Sequence, residues 1–148
     1  MRHALRALPL LAALALAGCA SPSAGPSGGP SAATPARITL PSGVIVETLQ
    51  TGLGDPPGPR DVVRVHYRGT FEDGREFDSS YARERPAEFP LDRVIRCWTE
   101  GLQHMRGGGK ARLYCPSATA YGEKGAPPFV QPNTPLKFEI ELLLVLRR

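Results

Sequence analysis

Long apolar runs are missing from this 148-residue sequence. The longest, Leu8 to Ala17, reaches only ~15 Å as a helix, half of a ~30 Å hydrocarbon core, so it is not expected to span a membrane. Blocks of like charge are missing too. The 18 Lys and Arg residues are scattered among 14 Asp and Glu, which leaves no basic stripe for nucleic acid despite a net charge of +4. No internal repeat occurs, and one core suffices for the stretch from Arg37 to Arg148. Metal-ligand spacing is absent as well: His66, His104, Cys97 and Cys115 do not fall into a zinc pattern, and no motif sets either histidine beside a thiol. Neither a metal, a cofactor nor a catalytic cysteine is expected.

What is present begins with a leader. Arg2 and Arg6, the apolar run and small residues at its end have the layout of a secretory signal peptide over residues 1–18. Leu16-Ala17-Gly18-Cys19 resembles the bacterial lipobox, which implies cleavage before Cys19 and acylation of its sulfur. Several acyl chains, at ~0.8 kcal/mol per buried CH₂, would hold the protein to a bilayer where one would be marginal. Ala20, not an acidic residue, follows, a pattern similar to that of lipoproteins sorted to the outer membrane. The expected location is therefore the cell envelope, lipid-anchored to the outer membrane and facing the periplasm. Residues 19–36 comprise Cys19 and a Ser/Pro/Gly/Ala stretch with no charge and no large apolar side chain, read as a tether that cannot fold. Residues 37–148 form the globular domain.

Within that domain strand patterns dominate. From Asp61 to Phe71, Val63, Val65, Tyr67 and Phe71 take one face and Arg64, His66, Arg68 and Thr70 the other. Asp73-Gly74 then marks a turn toward Phe77. Val44–Leu49 and Lys110–Cys115 read as strands, the second stopped by Pro116. Leu136–Leu146 is a long terminal strand whose last residues are apolar on both faces, which suggests a central position. Glu88–Leu91 is a candidate short strand. The single helix is expected at about Cys97–Met105, with Trp98, Leu102 and Met105 in one stripe. Such a set is an α+β arrangement, a sheet curved around one short helix. Tyr121 to Pro135 lacks periodicity, and a loop of that length in a compact domain is usually functional.

Four segments occur in order: Val65-His66-Tyr67-Arg68-Gly69, Glu72 through Ser80, Val94-Ile95-Arg96-Cys97-Trp98 and Ala120-Tyr121-Gly122. Together with the terminal strand they resemble the FKBP-type peptidyl-prolyl cis-trans isomerases, from about Gly43 to the C-terminus. The resemblance implies an FKBP-like curved antiparallel sheet around a short helix, with an aromatic cup between them. It implies Trp98 as floor, Tyr67, Phe77 and Phe138 as walls, Asp78 and Tyr121 as polar members, Val94 and Ile95 at the rim, and Phe129 and Val130 as apolar contacts at the mouth. Without that context Tyr67, Phe77, Phe138 and Trp98 read as core, and Asp78 beside Ser79 and Ser80 as a turn or capping group.

The implied activity is acceleration of X-Pro isomerisation in proline-containing polypeptides during folding of envelope or secreted proteins. The alternative is a non-catalytic module or chaperone that holds proline segments in the same cup. Cys97, Ala87 and Ala126 depart from the drug-binding members, Ala87 standing where those carry an aromatic wall, so tacrolimus-type macrolides are expected to bind more weakly. A monomer is expected, since the helical N-terminal dimerisation domain of similar macrophage-infectivity-type isomerases is not found. Cys97 and Cys115 form either a disulfide, which an oxidising compartment favours, or two buried thiols.

Overall fold

Period-two burial builds the sheet of the computed structural model, which describes residues 35–148. Seven strands form: β1 (Ala36–Thr39), β2 (Ile45–Gln50), β3 (Val62–Thr70), β4 (Glu76–Ser79), β5 (Ala87–Pro90), β6 (Lys110–Cys115) and β7 (Leu136–Leu146), with one helix, α1 (Arg96–Leu102). The expected signal peptide, Cys19 and most of the expected tether lie outside the described residues. The order is β1-β2-β6-β7-β3-β4, with β5 also on β3, and every pairing is antiparallel. Val63, Val65, Tyr67, Ala111, Leu113, Cys115, Leu136, Phe138, Ile140 and Leu142 turn to the buried face. Three register shifts, at Leu49 in β2, at Phe77 in β4 and at Leu143 in β7, bend the sheet, as bulges do, so that it curves around α1.

The helix is shorter than its apolar stripe. It ends at Leu102, and Met105 completes the stripe from a tight turn closed by its own N–H bonded to Leu102 O at 3.0 Å. Trp98, Leu102 and Met105 are all buried, each contributing about 1.5–3 kcal/mol in area terms. Gly101 lets the helix settle on β6, since a Cβ there would lie 2.8 Å from Leu113 Cδ1. A disulfide between Cys97 and Cys115 joins the first turn of α1 to the end of β6.

β7 is central, but not covered on both faces. Its bulge faces Arg64/Val65, and beyond it Leu143, Leu144 and Leu146 are exposed on the outer side. The apolar tail of the strand therefore marks a sheet interior in the hydrogen-bonded direction only. Asp61 secures the following residues: its carboxylate accepts from the N–H of Gly58 (2.8 Å) and Arg148 (3.1 Å) and from Arg147 Nη1 (2.7 Å), and the two backbone bonds foremost hold its pKa below the ordinary value.

β3 carries two partners along one edge. Val62–Val65 pair with β5 and Arg68–Thr70 with β4, leaving Tyr67 at the parting. Ser80, fully buried, closes it: its N–H donates to Tyr67 O (3.0 Å) and its Oγ accepts from Tyr67 N–H (2.8 Å). The hydroxyl also lies 3.0 Å from His66 Nδ1, and the His66 ring stacks on Tyr81.

Candidate active site

The parting of β3 opens over the start of α1, and aromatic rings fill it. Trp98 lies at the bottom, met edge-on by Tyr67 (centroids 5.2 Å apart), Phe89 (5.4 Å) and Phe138 (5.4 Å), all within 5° of perpendicular. Phe77 in turn stands on Phe138 at 5.7 Å. Edge-to-face packing suits the ring quadrupoles and fixes the walls around the indole. Gly69 makes the closure possible, because a Cβ there would lie 2.7 Å from Phe77 Cζ and 3.0 Å from Phe138 Cε1. The result is a cavity of about 290 Å³, lined by these five rings together with Asp78, Arg93, Val94, Ile95 and Tyr121.

Its polar groups are of two kinds. Asp78 is engaged: Oδ2 accepts from the Tyr67 hydroxyl and Oδ1 from Arg83 Nη1, both at 2.5 Å, and Arg83 Nη2 donates to the Tyr67 oxygen at 2.7 Å. Burial pushes the Asp78 carboxyl up, but the Tyr67 hydroxyl and the Arg83 guanidinium outweigh it and leave the pKa below the ordinary value. Burial, then the bond to Asp78, pushes Tyr67 up to about 12. The second kind is unpaired. The hydroxyl of Tyr121 and the backbone N–H of Ile95 have no partner among the described residues. Burial and the charge of Asp78 raise the Tyr121 pKa, so it remains a neutral donor. Trp98 Nε1 is also unpaired and is buried.

Tyr67, Phe77, Asp78, Trp98, Tyr121, Phe138, Val94 and Ile95 thus share one cavity. Phe129 and Val130 do not reach it. They line a neighbouring hollow with Phe77, Asp78, Tyr121 and Ala126, Val130 packed into the core and Phe129 largely exposed. The segment that carries them is less irregular than its sequence suggests: Ala126 and Val130 form a bridge, and Gly122 and Gly125, both at positive φ, tie its turns. The wall expected to be lost at Ala87 is also present. Phe89, two residues on along β5, supplies it, while Ala87 packs against the core.

The sequence profile of the FKBP-type peptidyl-prolyl cis-trans isomerases matches residues 54–143, which holds the whole cup. The chain belongs to that family. Its FKBP-type domain is 45% identical over 105 residues to the FKBP-type peptidyl-prolyl cis-trans isomerase FkpA of Escherichia coli (strain K12), covering 71% of this chain and 38% of that one. It is 43% identical over 110 residues to the peptidyl-prolyl cis-trans isomerase Mip of Coxiella burnetii, covering 74% and 48%. Among solved structures, a peptidyl-prolyl cis-trans isomerase from Pseudomonas syringae pv. tomato superposes with a TM-score of 0.71 at 43% identity, over 78% of this chain and 84% of that one. The chain spans about two fifths of the length of the FkpA protein it matches.

Three members of this FKBP-type site, Arg83, Phe89 and Arg93, escape sequence reasoning. Arg83 lies in Arg83-Glu84-Arg85, which reads as a solvated charged loop and offers no signal. Phe89 offers a weak one, sharing a face with Ala87 by period two.

Proposed function

We propose that this domain accelerates the cis-trans isomerisation of X-Pro bonds in polypeptides folding in the cell envelope. The observation that carries the reading is the pair of unpaired donors, Ile95 N–H and Tyr121 Oη–H, at the rim of a closed aromatic cup. Rotation about a peptide bond crosses ~18–20 kcal/mol because resonance is lost, and X-Pro bonds take tens to hundreds of seconds unaided. No covalent bond changes. The twisted imide is less polar than the planar one, so a cup of five rings receives it in place of water with little loss of solvation. The two donors hold the carbonyls on either side of the rotating bond. Asp78, fixed by Tyr67 and Arg83, sets the orientation of the Tyr67 ring, and none of these groups has to titrate. Tacrolimus-type macrolides fit the same cup as competitors.

The domain acts as a monomer held at the outer membrane, on its periplasmic side, through acylated Cys19 and the stretch to residue 36. The lipobox-like Leu16-Ala17-Gly18-Cys19 supports this anchoring.

The test is the cis-to-trans rate of X-Pro peptides and of a proline-limited refolding protein, using the processed chain in mild detergent. Wild type is expected to accelerate both. Tyr121→Phe should lower kcat/KM by about two- to tenfold, the loss of one hydrogen bond. In the same preparation, the mass of the N-terminal peptide should show acyl chains on Cys19, and Cys19→Ser should release the protein from membranes. No acceleration of any substrate by folded wild type would make the cup a holding site for proline segments.

A further inference from the structure

Arg93 is the one cup-lining charge with neither an ion pair nor a side-chain hydrogen bond among the described residues. It ends the 3-10 turn Leu91–Arg93 directly before Val94 and Ile95, whose N–H is proposed to hold a substrate carbonyl, and it lines the same cavity. Its neighbours in sequence are already spent: Asp92 faces Arg148 at 3.7 Å, and Arg96 bonds Glu100 at 2.5 Å. The cup's one carboxylate, Asp78, is neutralised by Arg83 at 2.5 Å. The lining of the cup therefore carries one uncompensated positive charge, on an exposed side chain beside apolar walls.

Resting on the isomerase reading, we propose that Arg93 is a specificity-determining residue that selects proline segments bearing an acidic side chain immediately beside the proline. A carboxylate on the residue before or after proline passes the Val94–Ile95 rim when the ring enters the cup, and there it meets a cation with no internal competitor. An ammonium at the same place meets the same cation and is disfavoured. An exposed pair supplies about a two- to fivefold preference, and apolar walls that exclude water push this toward the upper end. The preference resides mainly in KM, because the charge of the flanking side chain does not change as the imide twists. It weakens with salt, since the Debye length is ~10 Å at 0.1 M and ~3 Å at 1 M.

The experiment uses the processed chain in mild detergent and matched peptides carrying Glu, Gln or Lys before the proline, and a second set with these residues after it. For each protein the ratio of kcat/KM for Glu to that for Gln is compared, so that peptide-intrinsic differences cancel between wild type, Arg93→Gln and Arg93→Glu. At one of the two positions the ratio should fall about two- to fivefold in Arg93→Gln and fall further in Arg93→Glu, with the Lys peptide gaining in the latter. Raising salt should shrink the wild-type ratio and leave that of Arg93→Gln unmoved. The single tryptophan, Trp98, forms the cup floor, so its fluorescence gives the same ratios as affinities even if turnover is absent. Equal ratios in wild type and Arg93→Gln at both positions, by rate and by affinity, would overturn the assignment of Arg93 while leaving the isomerase reading standing. A failure of all peptides to be turned over, with the affinity ratios still dependent on Arg93, would overturn the isomerase reading alone.

Discussion

On the proposed reading, Asp78 is a charged residue in the service of a reaction that moves no proton. Its carboxylate accepts from Tyr67 and from Arg83, which keep it ionised below the ordinary carboxylate range against the effect of burial. Tyr67, at about 12, and Tyr121, also raised, stay protonated far into base. A depressed carboxyl pKa means that the network is intact above the usual aspartate value and is lost only as pH falls through the lowered one; raised tyrosine pKa values place the opposite limit above pH 10. The predicted pH profile of kcat/KM is therefore flat from about pH 5 to pH 9. A bell with a limb inside that window, measured on a neutral peptide, would mean that a titrating group takes part. The motif resemblance placed Asp78 in the cup, where the structure has it, but its grip was not legible. Arg83 stands five residues downstream in an exposed loop, and only the fold brings it to the carboxylate.

At the level of elements, strands with one buried face declared themselves, and strands without one did not. β3, β6 and β7 alternate because one side of each is core, and their bounds in the structure follow the alternation closely. β1 is exposed along all four residues and pairs with β2 through its backbone alone, so its sequence carries no pattern to read. β4 is four residues long, too short for a period to show, yet it carries both Phe77 and Asp78. The arrangement hangs on the parting of β3, where no strand satisfies Tyr67 and Ser80 does so instead. Ser80→Ala leaves the Tyr67 N–H buried without a partner, which costs about 1–3 kcal/mol. Since Tyr67 is a cup wall, the loss should appear both in the denaturation midpoint and in isomerase rate. A variant with unchanged midpoint would show that the parting is held by the neighbouring strands.

For the molecule as a whole, the sequence left two readings of the two cysteines, a bond, favoured by the expected oxidising compartment, and two buried thiols. The fold places Cys97 in the first turn of α1 and Cys115 at the end of β6, bonded to each other. That link ties the cup floor, one residue from Cys97, to the sheet it faces. Both residues are buried, so the bond is shielded from reductant in the native state and acts chiefly by restricting the unfolded chain. Closing a loop of 18 residues contributes about 3 kcal/mol in the chain-entropy view. Unfolding in guanidinium with and without prior reduction under denaturing conditions should give stabilities that differ by about that amount, with the steeper slope for the reduced chain, whose unfolded state is less restricted. Thiol titration of the unreduced, unfolded chain should find neither Cys97 nor Cys115 free. Superimposable curves together with two titratable thiols would mean that the helix is held to the sheet by packing alone, and the stability of the domain would then rest on Trp98, Leu102 and Leu113 without a covalent staple.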